Sequence, residues 1–107
     1  MKHSNYSDLP IQVPFVDEQG NPASIPTYDF ELEYFTHPEY KKVVASQHNG
    51  ELTNCKVVDG VLTCFFNKPM LGRGRLRSRK IYHIPDQNFP DGENTLVIMN
   101  ELDVDID

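Results

Sequence analysis

Strict two-residue alternation is what most restricts this chain. In "YDFELEYF", Tyr28, Phe30, Leu32 and Tyr34 occupy every second position, and Asp29, Glu31 and Glu33 fill the places between. Successive side chains of a strand point to opposite faces, whereas a helix would scatter these apolar residues around its axis. The segment therefore reads as a half-buried strand. "LPIQVPFV" repeats the pattern with Leu9, Ile11, Val13 and Phe15. Pro10 and Pro14 confine it to a sheet edge, since proline has no N–H to give a central ladder.

Turn chemistry marks off the remaining strands. "DEQGNP" reverses the chain, and "HPEY" and "QHNG" bracket "KKVVAS", although "PEYKKVVASQ" also fits a short helix. In "CKVVDGVLTC" the Asp59-Gly60 pair suits a two-residue type I′ hairpin turn, whose central residues both need positive φ. Counting outward, Val58 faces Val61, Val57 faces Leu62, Lys56 faces Thr63, and Cys55 faces Cys64. The cysteines then fall at a non-hydrogen-bonded pair, where opposing Cα atoms come closest, so a Cys55–Cys64 disulfide is compatible with the spacing. In a cytoplasmic chain the expected state is two reduced thiols on the core face beside Val57, Leu62 and Phe66. "NKPMLGRG" and "PDQNFPDGEN" are loops on either side of the strand "RLRSRKIYHI", and "TLVIMNELDVDID" forms the last strand. About seven strands with regularly spaced turns predict an all-β, immunoglobulin-like antiparallel β-sandwich, a single domain over residues 1–107.

With 38% hydrophobic and 24% charged residues the chain has the make-up of a soluble globular protein. The start, "MKHSNYSDLPIQVPFV", lacks the apolar run of a signal peptide, and no stretch of about 18 apolar residues is present to insert in a membrane. The expected location is a cytoplasm, where the glycosylation sequon at Asn5 has no use. A formal net charge of -6 argues against a nucleic-acid partner, because phosphate binding requires positive potential.

One segment opposes that balance. In "LGRGRLRSRK", Arg73, Arg75, Arg77 and Arg79 alternate with Gly74, Leu76, Ser78 and Lys80. Neither a groove-entering helix nor interleaved stacking aromatics accompany them. The last strand carries the opposite sign at the same spacing: Glu101, Asp103, Asp105 and Asp107 alternate with Leu102, Val104 and Ile106. Opposite charges across a ladder support pairing, so the basic row matches these acids, or Asp29, Glu31 and Glu33, within one chain or on a protein partner. Arg73, Arg75, Arg77, Arg79, Glu101, Asp103 and Asp105 are therefore the candidate partner-binding residues. The terminal strand either closes its own sheet or adds to a neighbour's edge.

No catalytic or metal-binding constellation stands out. His3, His37, His48 and His83 lack metal-ligand spacing and read as loop or surface residues, and neither a phosphate-binding glycine loop nor a nucleophile elbow occurs. The acids follow strand alternation rather than a paired-carboxylate site, and "DVDID" lacks the glycine and closing glutamate of a calcium loop. The expectation is a protein without catalytic residues, metal or cofactor.

The series "VPFVDEQGNPASIPTYDFELEYFT" and "VDGVLTCFFNKPMLGRGRLRSRKIYHIPDQNFPDG", about Val13 to Gly92, resembles the N-terminal immunoglobulin-like domain of phage baseplate upper proteins and related prophage tail proteins. The shared pattern is a first strand leading to "D..GNP", a "DG" hairpin, an "LG.G.L" loop feeding a long strand, and an "FPDG" turn. The resemblance implies a virion structural module that binds other tail subunits, a homo-oligomer among the expected assemblies, located in the tail after assembly in the bacterial host cytoplasm. The chain departs from that pattern in length, with no coiled coil or fibre segment after the sandwich. A different class of function, a carbohydrate- or ligand-binding sandwich, would use Tyr28, Tyr34, Tyr40 or Tyr82 as stacking platforms. The lack of tryptophan weighs against it.

Overall fold

A computed structural model describes residues 1–39 and 41–107; Tyr40, one of the four tyrosines considered above as platforms, lies outside the described residues. Every regular element among the described residues is a strand: β1 (Lys2–His3), β2 (Leu9–Val13), β3 (Phe30–Phe35), β4 (Lys42–His48), β5 (Glu51–Thr53), β6 (Cys55–Val58), β7 (Val61–Phe66), β8 (Gly74–Pro85) and β9 (Glu93–Ile106). They form two sheets of unequal size, in the orders β1-β9-β8-β3-β4-β5 and β2-β7-β6. The fold is an all-β sandwich, as the alternation predicts. Pairing is antiparallel except between β1 and the end of β9, which run parallel.

Seven of the nine strands coincide with the segments read from the sequence. The two additional ones, β1 and β5, have only two and three residues, too few to display a period. The helical alternative for "PEYKKVVASQ" does not form, because Val43 and Ala45 alternate toward the core from β4. β2 stops at Val13, ahead of Pro14, and sits at the edge of the small sheet where its prolines are tolerated.

Between the sheets lies one apolar core. Leu9, Ile11 and Val13 of β2 and Leu62, Cys64 and Phe66 of β7 meet Phe30, Leu32 and Tyr34 of β3, with Leu76, Tyr82 and Ile106 from β8 and β9. Each large aliphatic or aromatic side chain taken fully from water contributes roughly 1.5–3 kcal/mol, which makes this layer the main driving force for closure.

Two asparagines shape the passages between sheets. Asn54 adopts φ 59° between β5 of one sheet and β6 of the other, and its amide donates to the Val44 carbonyl at 2.9 Å. Asn5, between β1 and β2, is buried: its Nδ2 donates to the carbonyl of Leu71, and its Oδ1 accepts the Leu71 N–H at 2.8 Å. The sequon asparagine is thus a cross-brace to the loop before β8.

The 59–60 hairpin forms in the expected register, with Asp59 at φ 50° and Gly60 at φ 80° and Cys55 opposite Cys64. The Phe65 N–H donates to the Asn54 carbonyl, which makes that neighbouring pair the hydrogen-bonded one and leaves the cysteines at a non-hydrogen-bonded pair. Both thiols are free and buried. Val57 departs from the expectation: it is half exposed although Leu62 opposite it is fully buried, because β6 is the outer strand of the small sheet.

Candidate interaction surface

The outer face of the large sheet carries the charge ladder. Glu33 on β3 is nearly buried on this side, where the register sets it against Arg79 of β8. Lys42 Nζ donates to Glu33 Oε2 at 2.8 Å, and Arg79 Nε donates to Oε1. Burial alone would raise the Glu33 carboxyl pKa, but the hydrogen bonds from Lys42 and Arg79 outweigh it and hold the group below its ordinary value. Arg79 also reaches Glu39 and lies over the Phe35 ring at 4.9 Å from its centre. These groups roof the outer side of β3, so its second half is buried on both faces rather than on one.

The same pairing continues toward β9. Arg75 contacts Asp103 at 3.0 Å and Asp105 at 3.1 Å, and Arg77 approaches Glu101 at 3.9 Å. Between these contacts the register slips at Arg75/Arg77, so that β9 bulges around Asp103. Arg73 stands exposed in the loop before β8, where Gly74 at φ 136° breaks the alternation. Three of the four arginines thus meet acids of their own chain, Glu101, Asp103 and Asp105 among them. An exposed pair of this kind contributes roughly 0–1 kcal/mol. The Nε of Arg77 is buried with no hydrogen-bond partner.

At the far end of the same face, His83 lies between two carboxylates rather than free on the surface. Its Nδ1 is 2.8 Å from Glu93 Oε2 and its Nε2 is 2.6 Å from Glu31 Oε2. The bond to Glu93, with a second to Glu31, raises the imidazole pKa, and His83 in turn lowers that of Glu93. A shallow cleft beside this trio is lined by Asp29, Ser46 and His48. Both ring nitrogens of His83 are occupied, and among the described residues no group of three or more His, Cys, Asp or Glu side chains is placed to hold a metal ion. The trio brings together residues 31, 83 and 93, which no local spacing links.

On the inner face, Cys64 sits beside Tyr34, and burial pushes its thiol up to about 12, far from a reactive thiolate. Tyr34 and Tyr82 are core residues, 1% and 9% exposed, so neither offers a ring to a ligand, and Tyr28 packs edge-on against Tyr82.

The feature that the charge pattern hides is the edge of the large sheet. β9 pairs with β8 from Glu93 to Ile106, but on its other side β1 covers only Asp105 and Ile106. From Glu93 to Val104 that edge is open among the described residues. Within it Leu96, Val97, Ile98 and Met99 are 44%, 49%, 39% and 56% exposed. Four consecutive apolar residues without alternation are expected in a strand covered on both faces. That run is the signal the sequence carries for this edge.

In comparisons with known proteins, no family model, no curated protein and no solved structure matches the chain.

Proposed function

We propose that this chain is a non-catalytic structural module of a phage or prophage tail that acts by protein–protein contact, with β9 as the contact element. The setting rests on the resemblance of Val13 to Gly92 to baseplate upper-protein domains. The mode of action rests on one observation, the open edge of β9 with its exposed Leu96–Met99 run. Long edge strands are normally blunted by charge, proline or a covering element because they recruit further strands. This one keeps its apolar centre bare, while the arginine row is largely occupied with acids of its own chain. The sheet edge therefore replaces the charged strips as the primary contact.

Fractionation tests the reading. In lysates of producing cells, the wild-type chain should sediment with assembled tail particles, and the double variant Val97→Lys/Met99→Lys should remain in the soluble fraction. Recovery of the wild-type chain only as free protein, or saturable binding of a glycan by it, would overturn the proposal.

A further inference from the structure

The ladder between β8 and β9 fixes which main-chain groups of the open edge are free. The Asp86 N–H donates to the Gly92 carbonyl across the closing loop, making that pair hydrogen-bonded. Pairs alternate from there, so Ile84 with Asn94, Tyr82 with Leu96 and Lys80 with Ile98 exchange bonds. The His83 N–H, directed to the Asp29 carbonyl of the β3 side, confirms the phase. Thr95, Val97, Met99 and Glu101 therefore turn their N–H and C=O groups to the open side.

We infer that β9 is a homophilic edge: two copies of this chain pair their β9 strands antiparallel about a two-fold axis at Ile98, joining their large sheets into one. This deepens the contact reading above and rests on it. Three observations select a second copy as the occupant. The regular part of the open window, Glu93 to Glu101 ahead of the bulge, holds the apolar run at its middle, so an antiparallel copy covers it without reaching β1. The outward groups share one phase, so Val97 meets Met99 and Thr95 meets Glu101 of the second copy, with about eight new main-chain hydrogen bonds. Asn94 to Asn100 carries no charge in a chain of net charge -6, so like-charge contact is absent where the two strands meet most closely. A two-fold pairing closes on itself and consumes the β9 edge of both copies, so it stops at two chains.

The test is solution mass as a function of concentration, followed by a register-specific cross-link. The full chain should move from 12.3 kDa toward twice that mass, and no further. Val97→Pro removes an N–H that the monomer does not use, so it should give a folded monomer. Val97→Lys, which keeps the N–H and places a charge on the edge, should weaken the dimer at least tenfold and guards against a folding defect in the proline variant. Ile98 faces its own copy at a non-hydrogen-bonded pair, so Ile98→Cys should oxidise to a covalent dimer, whereas Asn100→Cys should not. A wild-type monomer at every concentration, or a dimer indifferent to both Val97 variants, overturns the inference. Either result leaves the tail contact to the fractionation test, which a monomeric chain can still pass. A dimer cross-linked by Asn100→Cys and not by Ile98→Cys overturns the register.

Discussion

Asn5 carries more of the fold than its place near the chain start suggests. Its amide satisfies both main-chain groups of Leu71 from a buried position, tying the linker ahead of β2 to the loop ahead of β8. Asn5→Ala would leave a buried donor and acceptor unpaired, and should lower stability by about 2–4 kcal/mol in urea unfolding. Glu33 makes a second test at this scale. Its carboxyl is held below the ordinary value of 4.5 when folded, so its contribution is present above that pH and is lost as pH falls through the folded value. Glu33→Gln should cost about 2 kcal/mol at pH 7, and the gap from wild type should close in acid, as read by thermal unfolding across pH.

Elements were legible where a period or a turn rule governs them. Alternation located β2 and β3, and the Asp59-Gly60 rule set the β6–β7 register residue by residue. The turn's dependence on its glycine is open to measurement. At Gly60 an added Cβ would meet nothing within 4 Å, so Gly60→Ala should cost only the left-handed backbone penalty, about 1–2 kcal/mol by denaturant midpoint. Other features escaped for physical reasons. A two-residue strand such as β1 has no period, and the exposure of Val57 follows from β6 being the outer strand of the small sheet, which only the strand order decides. The His83 trio gathers residues far apart in sequence through strand order, which a single chain does not reveal. The charge ladder was half legible: opposite signs at matching spacing announced pairing, but not that Arg79 would favour Glu33 and Glu39 over the terminal acids.

For the whole molecule, the balance between charge and apolar surface decides how the proposed pairing of copies responds to salt. Assembly through the arginine row and terminal acids would weaken with salt, since exposed ion pairs are screened. The structure gives the opposite expectation. Most of those pairs are already made within the chain, the net charge of -6 opposes association, and the open edge is apolar at its centre. Added salt screens the repulsion, and sulfate favours burial of apolar surface. Light scattering on a size-exclusion column should therefore show association that strengthens from low to high salt, and more in sulfate than in chloride.

The parallel contact of β1 with β9 bears on how the sandwich responds to pull. The Asp105 N–H donates to the Met1 carbonyl, Asp107 to His3, and Asn5 to Asp107, so the two ends of the chain are laced side by side. Because these strands run in the same direction, tension applied between the first and last residues slides them lengthwise instead of unzipping them. All three bonds bear load together. Under such tension, this short patch would set the force at which the sandwich begins to open.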